Sequence, residues 1–343
     1  MKPTNRYFCV LATTAVAALL GSSAYAADQC TAYPKGATDK IESAAIDSTF
    51  GAVPAPKKKL RVAYVTKTLI NEYWQDVAAG VKDEAAKLGL DADIQAAKDE
   101  SSMIEQLNMA QTVLSKRPDI LLLSPQSDSN LVPVVEAARK LNIPTIVLND
   151  AKTEGASTYI GPDQVAIGAN AATYLHQIYP NGTKVAQIEG AAGSPNARKR
   201  IEGFKAELAK YPNLQLVASQ PGNWDRLTAL NATSNILRQN PDLGGIYANN
   251  DGMALGVVEA VASASGTAKV AVVGTDGIRE AKKSVVNGEM RATVAEFPYL
   301  EGQLGVQVGL RLLACQDIPQ WVVSPHAVIT KENVADYPDP RAK

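Results

Sequence analysis

Residues 60 to 330 alternate short apolar runs with segments whose apolar side chains recur at helical spacing. A chain written this way folds as parallel strands flanked by helices, because a parallel neighbour is reached only through a crossover. Residues 60–66, 92–95, 119–124 and 144–148 read as strands, with helices over 72–88, 102–116 and 130–141 between them. The run 119–124 is mostly apolar and bounded by Pro118 and Pro125, as suits a strand buried on both faces. The pattern then repeats, with strands expected at 184–188, 214–219, 245–248, 270–273 and 327–330. Between the two sets, Gly161-Pro162-Asp163-Gln164 lacks an apolar run and reads as a crossing. The expectation is an α/β chain of two doubly wound parallel-sheet lobes, for which 343 residues suffice.

The first 26 residues stand apart from that pattern. Lys2 and Arg6 precede an apolar stretch at 9–20, and Ala24-Tyr25-Ala26 supplies a small-x-small cleavage pattern. This reads as a signal peptide cut after Ala26, with an apolar part too short to span a bilayer. Its removal takes two positive charges and no negative ones, moving the net charge from −1 to −3. The mature chain is expected in the periplasm. Residues 27–58, with Pro54-Ala55-Pro56 ahead of Lys57-Lys58-Lys59, read as an extension or linker before the first core strand. Cys9 leaves with the signal peptide, so Cys30 and Cys315 remain as an even pair in an oxidising compartment. Two unpaired thiols are one reading. A disulfide between the extension and a late helix is the expectation, since unpaired exported thiols are a liability.

Composition narrows the chemistry. Lys plus Arg (34) nearly balance Asp plus Glu (35), which leaves no field to attract nucleic acid. Two histidines, His176 and His326, and three cysteines give little material for a metal cluster. The motifs G-x-S-x-G, G-x-x-x-x-G-K-[S/T] and H-E-x-x-H are all missing. Gly190-Ala191-Ala192-Gly193 follows a strand but is no dinucleotide fingerprint. No catalysis, cofactor or metal is expected. In open parallel sheets ligands bind beyond the carboxyl ends of the strands. Those ends carry Lys67, residues 71–74, Asn149-Asp150, residues 190–200, Trp224-Asp225, residues 249–251, Asp276 and Glu296. The set is polar, charged and aromatic, which suits a small hydroxylated ligand.

Tyr64-Val65-Thr66-Lys67-Thr68-Leu69-Ile70-Asn71-Glu72-Tyr73-Trp74 resembles the first strand and loop of the ribose-binding-protein-like periplasmic receptors. Similar to the same family, in order, are Ile188-Glu189-Gly190 with residues 197–204, Ser219-Gln220-Pro221 with Trp224-Asp225-Arg226, residues 249–256, and Val273-Gly274-Thr275-Asp276-Gly277. The resemblance runs from about residue 60 to 331. It implies a type I periplasmic clamp with three hinge crossings. The amino-terminal lobe would comprise 59–161 plus 297–324, and the carboxyl-terminal lobe 162–296 plus 325–343. The family's ligand positions fall on Asn71, Tyr73, Trp74, Arg198, Trp224, Asn250 and Asp276. Lys67, Asn149, Asp150 and Glu296 occupy further ligand positions but depart from the ribose receptor's pattern of a small hydroxyl residue, an Asp-Arg pair and an amide. The implied function is the solute-binding component of an ABC importer for a sugar or related polyol, with a membrane permease as partner. The alternative is a receptor presenting its closed clamp to a chemoreceptor or sensor kinase. A repressor of the same clamp would need an N-terminal helix-turn-helix, where this chain has a signal peptide.

The residues support the same picture on their own chemistry. A sugar has apolar C–H faces and a polar equator. Trp74, Tyr73 and Trp224 can cover the faces at little entropic cost. Asp276, Asn250 and Arg198 can pair with hydroxyls, since a carboxylate accepts twice and a guanidinium donates through a fixed fork. Blander roles stay open: core packing for the tryptophans, a structural ion pair for Asp276 and Arg198, and a helix cap for Asn71. Counting Lys67 and Arg198 against Asp150, Asp276 and Glu296 leaves one net negative charge, which favours a neutral ligand over an acidic one.

Overall fold

The computed structural model describes residues 31–33, 39–264 and 270–342. The signal peptide, Cys9 and Cys30 lie outside them. In chain order the elements begin with β1 (Ile41–Glu42), α1 (Ile46–Phe50), β2 (Arg61–Thr66), α2 (Glu72–Lys87), β3 (Asp91–Ala96) and α3 (Met103–Ser115). Next come β4 (Ile120–Leu123), α4 (Val132–Lys140), β5 (Thr145–Leu148), β6 (Thr158–Gly161), α5 (Gln164–Ile178), β7 (Thr183–Glu189) and α6 (Pro195–Leu208). They continue through β8 (Leu214–Pro221), α7 (Arg226–Gln239), β9 (Leu243–Ala248), α8 (Asp251–Ser263), β10 (Ala271–Asp276) and α9 (Arg279–Asn287). The last are β11 (Ala292–Ala295), α10 (Pro298–Leu313), β12 (Trp321–Val323) and β13 (Ala327–Thr330).

Two sheets result. The first runs β1-β12-β6-β5-β4-β2-β3 and is parallel throughout. The second runs β13-β11-β10-β9-β7-β8 and is parallel except where β13 pairs antiparallel with β11. Strand period explains the unbroken apolar runs. Val62, Tyr64, Ile120 and Leu122 face one side of the first sheet, while Ala63, Val65, Leu121 and Leu123 face the other. Both faces are covered by helices, so each of these eight positions is buried.

The chain leaves the first sheet after β6, returns after β11 through α10 and β12, and leaves again before β13. These are three crossings. The return is fixed by close helix packing: a Cβ on Gly80 of α2 or Gly302 of α10 would strike the facing helix backbone at Tyr299 or Val77.

The stretch 27–58 requires a correction, because its described residues, 31–33 and 39–58, are more than a linker. Ile41–Glu42 pairs with β12 as an edge strand, and Ile46 is buried. The wholly buried Arg311 pairs with Asp47 at 2.5 Å and donates to Gly51 O at 2.8 Å. Earlier, Tyr33 buries its hydroxyl against Ile143 O at 2.6 Å. Ile41, Ile46 and Phe50 are apolar residues spread thinly through Ser, Ala and Gly, which hides the signal. Farther on, Lys58 and Lys59 lie exposed and pair with Asp119 and Asp91.

Candidate functional site

Helix capping brings the strand ends to one place. Asn71 Oδ1 accepts from Tyr73 N at 3.0 Å and starts α2, so Tyr73 and Trp74 occupy its first turn at the mouth of β2. Ser194 caps α6 ahead of Pro195, Asp225 caps α7, and Asn250 Oδ1 caps α8 through Met253 N at 2.9 Å. All these helix starts follow strands whose carboxyl ends face the space between the two sheets. Asn149 and Asp150 follow β5 at φ 52° and 63°, a left-handed turn that Asn and Asp tolerate better than most residues. Trp224 follows β8 at φ 65°, and its ring lies where a Cβ on Gly190 would sit.

Lys67, Asn71, Tyr73, Trp74, Asn149, Asp150, Trp224, Asn250 and Asp276, all expected from the sequence, line one cleft. Glu100, Asn196 and Arg200 line it as well; Asn196 and Arg200 lie in the expected segment 190–200 but were not singled out, and Glu100 was missed. Their side chains leave a cavity of about 30 Å³. Tyr73 and Trp74 stand edge to face with ring centres 4.8 Å apart, and Lys67 Nζ lies 5.4 Å over the Trp74 ring. Glu100 Oε1, from the loop after β3, accepts from Asn71 Nδ2 at 2.9 Å and from Trp74 Nε1 at 3.2 Å. Contacts cross between the lobes. Ser194 Oγ donates to Asp150 at 3.0 Å, and Asn196 Nδ2 donates to Asn149 at 2.7 Å.

Two expected residues lie elsewhere. Arg198 points outward, 53% exposed, and pairs with Asp128 across the mouth at 2.7 Å. Arg200 holds the cleft position instead, because α6 buries Ala197, Arg200, Phe204 and Leu208 on one stripe and Arg198 falls off it. That stripe was a usable signal. Glu296 is fully buried beneath the cleft wall, where it contacts Arg200 and accepts from Asn149 Nδ2 at 2.7 Å. Glu100 had no comparable signature, sitting in a polar loop of Lys98, Asp99, Ser101 and Ser102.

Buried charge dominates the electrostatics. Burial disfavours the charge of Arg200, but Glu296 and then Asp276 outweigh it and hold the guanidinium above its usual range. Burial pushes Lys67 down to about 8 despite Glu100 nearby and its own contact with Asp150. Burial likewise raises Asp276 well above the carboxylate range. Below it, Asp251 Oδ2 accepts from Gly277 N and Ile278 N at 2.8 and 3.1 Å, fixing the turn that presents Asp276. The arrangement offers aromatic faces and fixed donors and acceptors. Among the described residues no cluster of His, Cys, Asp and Glu could hold a metal ion. The two histidines sit away from the cleft, with His176 stacked on Tyr211 at 4.0 Å and His326 beside a crossing.

A family model described as a periplasmic binding protein domain matches residues 62–317. The D-allose-binding periplasmic protein of Escherichia coli is 39% identical over 255 residues, covering 72% of this chain and 82% of that relative. The ribose import binding protein of the same organism is 32% identical over 274 residues, covering 80% and 90%. A solved ABC transporter periplasmic solute binding protein from Actinobacillus succinogenes with bound D-allose superimposes with a TM-score of 0.77 at 33% identity, covering 81% of this chain and all of that one.

Proposed function

The chain belongs to the periplasmic binding protein family, in its type I, ribose-binding-protein-like branch, and from that premise we propose that it captures a sugar or related polyol for an ABC importer. One observation carries the reading. Aromatic rings, amides and buried charges from the strand ends of both lobes converge on a single cleft. Trp74 and Tyr73 on one lobe and Trp224 on the other cover the apolar faces of the ring. Asp276, Asn250, Asn149 and Arg200 take the hydroxyls, with Arg200 in the role the sequence assigned to Arg198. Lys67, Asp150, Glu100 and Asn71 complete the rim, and Glu296 acts from behind by holding Arg200 and Asn149.

Capture, not catalysis, is the mechanism. Ligand settles on one lobe, and closure adds the second lobe's groups, so the bound state is selected by contacts present only when the clamp is shut. The closed surface is then presented to the membrane permease. Such a protein works outside the cytoplasm, which fits a signal peptide cut after Ala26 and a Cys30–Cys315 disulfide. Presentation to a chemoreceptor or sensor kinase is the other use of the same closed surface.

A thermal-shift screen tests the reading. D-allose, D-ribose, xylitol, myo-inositol and amino and acidic sugars would each be added to the mature protein. Ligand at about 100 times its Kd stabilises the folded chain by about 2.7 kcal/mol. At least one neutral sugar or polyol is expected to raise the Tm. A panel without any shift, or turnover of a bound sugar, would overturn the proposal.

A further inference from the structure

Beyond β13 the chain turns back along α9. Asn333 makes the turn, its Oδ1 accepting from Thr330 N at 2.7 Å and its Nδ2 donating to Val328 O at 3.0 Å. Lys282 Nζ of α9 donates to Tyr337 O at 3.0 Å, and Arg279 of the same helix lies 3.6 Å from Asp339. Pro338 and Pro340 flank Asp339 and leave the backbone little freedom to lose. Residues 331–342 are therefore a strap anchored on the second sheet and its helices.

The strap and α9 both reach across to α2, which follows β2 of the first sheet. Arg341 lies 2.7 Å from Asp76 and 3.8 Å from Glu72. Arg279 contacts Glu72 as well, and Glu280 N, in the first turn of α9, donates to Glu72 Oε2 at 3.4 Å. Asp76 is buried and the Glu72 side chain is only 18% exposed, so water and salt screen these pairs less than pairs on an open surface. Tyr337 and Pro338 line a cavity of about 590 Å³ with Phe297, Leu300 and Ile329, so packing under the strap is incomplete and charge carries its hold on α2. None of Glu72, Asp76, Arg279 and Arg341 lines the cleft itself.

Position ties these pairs to closure. Glu72 directly precedes Tyr73 and Trp74 on one cleft wall, and Arg279 follows Asp276 on the other by three residues. Lobes that part between Trp74 and Asp276 draw Glu72 away from Arg279 and Asp76 away from Arg341. We propose that the cross-lobe pairs form a latch, in which Arg279 and Arg341 grip Glu72 and Asp76 and hold a share of the ligand-free clamp closed. All four are positioning residues. A latch that raises the closed share tightens the binding of every ligand by the same factor, without choosing among them.

The inference rests on the clamp reading but not on the identity of the ligand, and its test needs no sugar. Small-angle scattering would give the radius of gyration of ligand-free mature protein at pH 8, in about 50 mM and about 1 M salt. Circular dichroism would verify that each variant is folded. The native radius should rise with salt. Arg341→Glu should show the larger radius already at low salt, while Arg341→Lys, which keeps the charge, should follow the native chain. Glu72→Gln, which removes the acid that both arginines face, should also be enlarged at low salt. A native radius indifferent to salt, equal radii in the native chain, Arg341→Glu and Glu72→Gln, or an Arg341→Lys chain as enlarged as Arg341→Glu would each overturn the inference. A failed sugar screen with a radius that still answers to salt and to Arg341 would instead count against the capture reading alone.

Discussion

Arg198 and Arg200 are two positions apart, yet only one faces the cleft, because a helix turns about 200° over two residues. Arg200 touches Glu296 and Asp276 from the buried stripe, while Arg198 makes an exposed pair with Asp128. Arg200→Ala leaves two buried carboxylates without their cation and should cost about 3–5 kcal/mol of stability or binding. Arg198→Ala removes a surface pair and should cost no more than about 1 kcal/mol. Urea unfolding and calorimetric titration of both variants check the contrast, and equal effects would mean the cleft arginine is misassigned. Most cleft residues were legible because each sits where an apolar strand stops and a cap begins. Glu100 was not. Its loop after β3 carries no periodic pattern, and its role comes from Asn71 and Trp74, nearly thirty positions away in sequence.

Element recognition followed burial on both faces. Strands such as β4, wholly apolar between prolines, were plain in the sequence, and β2, β5, β9 and β10 likewise follow expected runs. The missed strands β1, β6, β11 and β12 are two to four residues long, and all but β12 contain Thr, Ala, Gly or Glu. Such segments pair because neighbouring strands already stand in place, which is tertiary information. The same holds for residues 41–50, whose few apolar side chains become meaningful only against β12 and α10. Ile46 is 3% exposed in that contact. Ile46→Ala is therefore expected to destabilise the protein by about 2–5 kcal/mol. The urea midpoint should fall with little change in m-value. A shift within about 0.5 kcal/mol would show the segment to be a linker after all.

The whole molecule works by bringing two lobes together around three short crossings. Trp74 and Trp224 belong to opposite lobes and both line the cleft, whereas Trp321 stands at the start of β12 and donates to Gly161 O at 2.8 Å. Ligand should therefore change tryptophan emission. Trp74→Phe and Trp224→Phe should each remove part of the response, and Trp321→Phe should leave most of it. A signal carried by Trp321 alone would put the binding event outside the cleft.

Capture between the lobes is tested most directly by calorimetric titration of the sugar found by screening into native protein, Trp74→Ala and Asp276→Ala. Circular dichroism would verify that each variant is folded. Trp74 stands on one lobe and Asp276 on the other, so both substitutions should weaken binding while the native chain shows one site. For Asp276→Ala, hydroxyls left unpaired in a closed site should cost about 2–5 kcal/mol. Near-native affinity in either variant would contradict a site built from both lobes.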